Sequence, residues 1–115
     1  MLIMFDIDDT LIIPSVALGI SEDAINYKNV AVFKWFQEQG HQVGVWSKTG
    51  EEYAKNWAEK LNLKPYVILK KEKNKEVDVC FDDCDVDLAR TNIKIKRINN
   101  SISRVDWNKT KHIKL

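Results

Sequence analysis

Three carboxylates, Asp6, Asp8 and Asp9, crowd together just after the apolar run "MLIMF". A second acidic pair, Asp82–Asp83, follows another apolar run, "VDVCF". Like charges this close repel, and an unpaired carboxylate is costly to bury, so such a crowd needs positive charge beside it. A few hard oxygen ligands, with water filling the other positions, are what Mg2+ prefers. A carboxylate can also attack phosphorus and form an aspartyl-phosphate. A second carboxylate two positions on can protonate the leaving oxygen and then activate water. At an extended strand end, residues i and i+2 lie on one side, so Asp6 and Asp8 can face the same phosphoryl group. Ser47 and the amides of Lys48 to Gly50 offer neutral donors for phosphoryl oxygens. A lysine from the 70–75 cluster would screen the remaining negative charge.

These groups need elements that bring them together. "MLIMF", "HQVGVW", "YVIL" and "VDVCF" read as short apolar strands, and "IKIKRI" alternates like a strand near a sheet edge. Asn29 reads as the N-cap of a helix over "VAVFKWFQEQ", and Gly40 as its stop. Residues 51–62 form a second helix, with Glu51 and Glu52 suiting its dipole and Tyr53, Trp57, Ala58 and Leu61 making an apolar stripe. Residues 11–28, with Pro14 and Gly19, lack a sustained period and read as an irregular segment or a hairpin flap; "DLARTN" is a turn of helix at most. Strands alternating with helices predict an α/β domain with a mostly parallel sheet, whose ligands bind beyond the carboxyl ends of the strands. Three such ends carry chemically capable residues, "DIDDT", "SKTG" and "DDCD".

"DIDDTL" resembles the D-x-D-x-T signature of the haloacid dehalogenase superfamily, in its common D-x-D-D-T-L form. "VGVWS" resembles the second motif of that family, and "VDVCFDD" its fourth, all in the expected order within residues 1–88. The resemblance implies a Rossmann-like five-stranded sheet of order 5-4-1-2-3. It implies Asp6 as nucleophile and Asp8 as general acid/base. Mg2+ would be held by Asp6, the Asp8 backbone carbonyl and Asp83, with Asp82 or Asp87 in support. Ser47 would bind the phosphoryl group, with Lys48 and Thr49 beside it. Thr10, grouped with these around the substrate, would brace its loop rather than react. An acid at position 8 favours phosphatases over the dehalogenase, phosphonatase and ATPase branches of the family.

Two departures stand out. The third motif of the family is a lysine on or before a helix that precedes the fourth strand, and "KKEKNKE" leaves no room for that helix. A connection of about eight residues still reaches about 26 Å when extended, whereas three strand spacings need about 14 Å. Within the Lys70, Lys71, Lys73 and Lys75 cluster, Lys75 is favoured as nearest the fourth strand, then Lys73, then Lys70. The second departure is size: only 36 residues separate Thr10 from Ser47, so no cap domain fits and residues 1–115 read as one capless domain. Within the family, an open site implies a macromolecular phosphorylated substrate or closure by a partner subunit, with small phosphate esters as the other option. The alternative from a different class is a binding or regulatory protein of the same fold with little turnover.

The bulk numbers agree with one folded domain: 115 residues, 44% apolar, four tryptophans. Cys80 and Cys84 read as reduced thiols, and His41 and His112 show no metal spacing with them. The N-terminus shows no basic lead-in of a signal peptide and no apolar run approaches the ~20 residues of a membrane span, so the expectation is a cytoplasmic protein with no membrane partner. Charge is uneven. Residues 1–89 carry 10 Lys/Arg against 16 Asp/Glu, a net of −6, and residues 90–115 carry 8 Lys/Arg against Asp106 alone, a net of +7. The basic segment is either a solvated edge or a surface for nucleic acid or another polyanion. The family resemblance implies a nucleic-acid 3′- or 5′-phosphate as one option, as in phosphatase domains of polynucleotide kinases. Trp107 within the basic segment could stack a base. Phe33, Trp35 and Phe36 read as core or interface, and Trp46 as pointing away from the side that Ser47 faces.

Overall fold

A computed structural model of the chain describes residues 1–14 and 22–97. The strands are β1 (Leu2–Asp6), β2 (Ile12–Ile13), β3 (Ala24–Ile25), β4 (Gln42–Ser47), β5 (Ile68–Lys70), β6 (Val79–Asp82) and β7 (Thr91–Lys94). The helices are α1 (Tyr27–Glu38) and α2 (Glu51–Lys60). Five strands form one sheet in the order β5-β4-β1-β6-β7, every neighbouring pair parallel. Counted among those five strands alone, this is the expected 5-4-1-2-3 order, and it is compatible with a Rossmann-like fold. β2 and β3 pair antiparallel as a small hairpin, so the irregular stretch after the first strand is in part a flap. Positions 15–21 of that flap lie outside the described residues, as does the basic segment beyond Arg97, Trp107 included.

Strand alternation sorts the sheet into two unequal faces. Ile3, Phe5, Val43 and Val45 point to one face and pack with Val30 and Phe33 of α1 and with Ala54 and Ala58 of α2. Phe5 is the hub of that face, stacked on Phe81 at 4.7 Å and tilted against Phe33 at 5.2 Å. Met4, Trp46 and Cys80 point to the other face, where Val77 and the half-buried Val86, Leu88 and Ala89 cover them. Trp46 thus faces away from the first face, as alternation requires. Gly44 also lies on this second face, and a Cβ there would come within 2.5 Å of the Val67 carbonyl, so the β4–β5 approach depends on glycine.

The handedness of parallel connections explains the asymmetry. From β1 through β4 to β5 the chain moves one way across the sheet, and after β5 it reverses, so right-handed crossovers must then run over the second face. Residues 71–78 and 83–90 make those crossovers as loops, with no helix in either. Asn92 organises the second loop from within β7. Its Oδ1 accepts the amides of Leu88 and Ala89, both at 2.9 Å, and its Nδ2 donates to the Ala89 carbonyl at 2.9 Å. The edge strand runs over Thr91–Lys94, paired with Val79–Asp82, rather than over 93–98. The cap of α1 also differs from expectation. Asn26, not Asn29, caps the helix by accepting the Asn29 amide at 3.2 Å, while the Asn29 side chain reaches back to the Thr10 carbonyl at 2.7 Å. The first turn of α1 is exposed at Tyr27 and Lys28, so its start carries no apolar signal. Among the described residues no helix is long and apolar enough to cross a membrane.

Replacing Asn92 by Ala strips partners from two loop amides at once. Leaving half-buried donors unsatisfied costs about 1–3 kcal/mol. Urea unfolding should therefore show Asn92→Ala destabilised by about that amount, and an unchanged midpoint would mean that water replaces the side chain without loss.

Candidate functional site

All five strands run the same way, so their carboxyl ends form one rim. Register sets Asp6 beside Trp46, Ser47 beside Lys70, and Asp82 beside Lys94. Lys71, the first residue past β5, donates its amide to the Ser47 carbonyl at 2.9 Å. Its side chain then turns across the rim, with Nζ 3.1 Å from Asp6 Oδ1 and 2.9 Å from Asp82 Oδ2. All three side chains are nearly closed off, at 9%, 6% and 1% exposure. Burial, and then the neighbouring Asp82, push the Asp6 carboxyl well above the usual carboxylate range, with Lys71 offsetting part of this. Asp82 is raised as well, first by burial. Burial alone would lower Lys71, but Asp6 and Asp82 outweigh it and hold the ammonium above its ordinary value.

The segment after β1 folds back tightly. The Ile7 carbonyl accepts the amides of Thr10, Leu11 and Ile12, and Asp9 takes a left-handed conformation at φ 64°, which Asp tolerates better than most residues. Asp8 stays half-buried, and the Tyr53 hydroxyl donates to its Oδ1 at 2.7 Å. Thr10 is fully buried and anchored through its carbonyl by Asn29, which suits bracing. The grouping of Thr10 with substrate-contacting residues is therefore corrected, because the side chain has no exposed surface to offer.

At the end of β4 Ser47 is buried, its Oγ accepting the Thr49 amide at 3.1 Å and its carbonyl the Gly50 amide at 3.2 Å. The amides of Thr49 and Gly50 are thus engaged in shaping the turn, while the side chains of Lys48 and Thr49 are exposed. Past β6, the buried Asp83 accepts from Arg97 Nε at 2.8 Å, a bond that raises the guanidinium pKa further. Carboxylate oxygens of Asp82 and Asp83 and the Cys84 sulfur lie within 4.8 Å of one another. Asp6, Asp82 and Asp83 offer hard oxygens of the kind that suit Mg2+.

The structure brings Asp6, Ser47, Asp82 and Asp83 to one rim, and it separates Lys75 from them. Lys75 is exposed and lines a cavity of about 300 Å3 with Lys73, Asn74, Leu88, Ala89 and Arg90, by the loops over the second face. Choosing the lysine nearest the fourth strand fails for a topological reason. In a parallel sheet a residue just before β6 approaches its amino end, opposite the carboxylates, whereas a residue just after β5 stands at the carboxyl rim. That rule, applied to "KKEKNKE", singles out Lys70 and Lys71. Lys73 pairs with the exposed Asp87 at 3.3 Å, so neither Lys73 nor Lys75 joins the buried triad. Sequence reasoning also missed Tyr53, read only as part of an apolar stripe, and Arg97, which no motif marks.

Removing one member of a buried ion cluster leaves uncompensated charge and costs about 3–5 kcal/mol. Lys71→Met should lose about that much stability at neutral pH, whereas the exposed Lys75→Met should stay within about 0.5 kcal/mol. The pH dependence has a definite sign. Asp6 and Asp82 have raised pKa values in the fold, so their protonation favours the folded state at low pH and that stability is lost as pH rises through the raised values. The Lys71→Met penalty should accordingly shrink as pH falls through those values. Denaturant titrations of both variants across the acidic range check this, and a pH-independent penalty would contradict it.

Comparison of the chain with protein-family models, with curated proteins and with solved structures finds no match, so its functional reading rests on these residues alone.

Proposed function

We propose that the protein is a Mg2+-dependent phosphatase of the haloacid dehalogenase type that hydrolyses a phosphate monoester through an aspartyl-phosphate. The observation that carries this reading is Lys71 Nζ bridging Asp6 and Asp82 at the rim where Ser47 also ends its strand. Asp6, the Asp8 carbonyl and Asp83 are the groups assigned to Mg2+, with Asp82 in support. Bound there, the ion would polarise the phosphoryl oxygens and offset their charge.

Lys71 occupies Asp6 Oδ1, so attack on phosphorus is assigned to Oδ2. The new bond joins Asp6 to phosphorus as the bond to the leaving oxygen breaks, and Asp8 gives that oxygen its proton. Asp8 then takes a proton from a water molecule, which attacks the same phosphorus and releases inorganic phosphate and the Asp6 carboxylate. The Tyr53 hydroxyl fixes the rotamer of Asp8 for both transfers. Ser47 donates to a phosphoryl oxygen, and Lys71 balances charge as it accumulates. The alternative of a binding protein with little turnover rested on the loss of the third-motif lysine, and the position of Lys71 weakens that ground. The free thiols Cys80 and Cys84 suit a reducing cytoplasm.

Asp6→Asn keeps the shape but removes the attacking charge, so hydrolysis of p-nitrophenyl phosphate should fall by several orders of magnitude in a protein that still folds. Asp8→Asn should cost roughly 10²–10⁴ on alkyl phosphates and less on p-nitrophenyl phosphate, whose leaving group needs little protonation. Equal losses on both substrates would reduce Asp8 to a positioning residue.

Metal binding has its own readout. An ion that binds only the folded chain stabilises it by about 2.7 kcal/mol at a hundredfold excess over Kd, several degrees in Tm for a domain of this size. Asp83→Ala should abolish that Mg2+-dependent rise. Asp85→Ala should keep it, because Asp85 is exposed and pairs with Lys94, away from the proposed ligands. A melting curve of metal-free protein that ignores millimolar Mg2+ would remove the metal from this reading.

A further inference from the structure

Beside the candidate carboxylates, Asp83, Lys94, Ile95, Lys96 and Arg97 line a cavity of about 180 Å3 at the carboxyl end of β7. Three of the four positions from 94 to 97 are cationic, against one carboxylate in the lining. Arg97 is committed to Asp83 at 2.8 Å. Lys94 meets Asp85 at 3.2 Å, but both are exposed, at 57% and 87%, and pairs of that kind are worth little. Lys96 is exposed as well. The rim therefore has a sharp polarity, with acidic groups at β1 and β6 and a basic hollow one strand further on, at the sheet edge. Edge lysines are a common guard against strand pairing, but that role needs no hollow and no position at the carboxyl end.

We propose that this hollow binds a second phosphate of the substrate, so that the protein acts on phosphate monoesters whose leaving group is itself phosphorylated, and specifically on a phosphorylated nucleic-acid end. The monoester would sit at Asp6 and the adjoining phosphodiester at Lys94 and Lys96. The reaction part of this inference rests on the phosphatase reading; the binding part does not. Lys94 and Lys96 both line the hollow, so it offers two ammonium groups to an anion, and lysine is a common partner of phosphate. The sequence after Arg97 is itself basic, with Arg104, Lys109, Lys111 and Lys114 against Asp106 alone, which favours a ligand with more than one phosphate. The other basic hollow, at Lys73, Lys75 and Arg90, is a poorer candidate. Arg90 precedes β7 and so stands at the amino end of the strand, away from the rim.

The test compares the full chain with Lys94→Gln/Lys96→Gln and with Lys64→Gln, a control at the amino end of β5. Fluorescence anisotropy with chelator present follows binding of a labelled single-stranded deoxyhexanucleotide bearing a 3′-phosphate. Turnover with Mg2+ is followed on that oligonucleotide, on a nucleoside 3′,5′-bisphosphate and on p-nitrophenyl phosphate. The double variant should bind the oligonucleotide about tenfold more weakly, with the slope of log Kd against log salt reduced by about 1.4, two contacts at about 0.7 each. Its kcat/KM should fall similarly on the two substrates with a second phosphate and stay unchanged on p-nitrophenyl phosphate. A loss on the bisphosphate as large as on the oligonucleotide assigns the hollow to one adjoining phosphate, and a larger loss on the oligonucleotide assigns it to the strand. Oligonucleotide binding that the double substitution leaves intact, or that Lys64→Gln weakens equally, overturns the proposal. An acidic phosphopeptide held as tightly through the same lysines overturns the nucleic-acid assignment. A chain that hydrolyses none of the three substrates, yet binds the oligonucleotide through Lys94 and Lys96, refutes the phosphatase reading and keeps the surface.

Discussion

One ammonium group ties the carboxyl rim together. The backbone of Lys71 is fixed to the end of β4 through the Ser47 carbonyl, and its side chain joins the end of β1 at Asp6 to the end of β6 at Asp82. Asp6 and Asp82 are buried, and without a cation between them their repulsion would add to the cost of removing both from water. The sheet can bring these two strand ends together only because a lysine arrives at the same place. That lysine can arrive only from a strand on the far side of β4, across the rim from β6. Strand order, the reversal after β5 and the position of Lys71 are thus one constraint seen from three sides.

The thin second face follows from the same path. A helix after β5 would have to begin within a few residues of Lys71 and still return the chain to the amino end of β6. The eight residues available, 71–78, spend their first position at the rim and their last in pairing, since the Asp78 amide donates to the Leu2 carbonyl. What remains is a strap, and Val77 is its one fully buried apolar residue. Asn92 then does for the second loop what helical hydrogen bonding would otherwise do, satisfying backbone groups that no regular element covers. Both helices gather on the first face, where Phe5, Phe33 and Phe81 fill the space between sheet and helices.

The sequence carried the architecture in its apolar runs and their order. Five strand segments, two helices and the edge character of the last strand were legible because burial on both faces, or on one, leaves different patterns in "MLIMF" and "IKIKRI". The first-strand acids, Ser47 and the Asp82–Asp83 pair were legible because each directly follows such a run. What was not legible depends on contacts between distant residues. Asn26 and Asn29 carry the same capping chemistry, and only the turn after β1 decides that Asn29 is used on Thr10 instead. Tyr53 belongs to a half-buried helix face, and its hydroxyl matters only because Asp8 stands opposite. Arg97 lies three residues past the edge strand, and its role depends on Asp83, which follows a different strand. Lys71 was recoverable in principle, since parallel strands alone decide which end of a connection reaches the rim.

Two carboxylates two positions apart are given different surroundings, a difference that suits the two-step displacement proposed above. Asp6 is buried, shares a lysine with Asp82 and is pushed upward by burial and by that neighbour. Asp8 is half-buried and held by a neutral hydroxyl donor. A group that must attack phosphorus needs its position fixed, and the Lys71 ammonium 3.1 Å from Oδ1 fixes Asp6. A group that must both give and take a proton needs access to water and a fixed orientation. Tyr53 meets the second need, its hydroxyl donating to Asp8 Oδ1 at 2.7 Å while Asp8 stays half-buried. The same fold that crowds the acids therefore divides them, with the ammonium assigned to the residue at the strand end and the hydroxyl to the residue beyond it. If the roles of Asp6 and Asp8 are as proposed, their separation is written into the two helical and loop residues that reach them, Tyr53 and Lys71, as much as into the aspartates themselves.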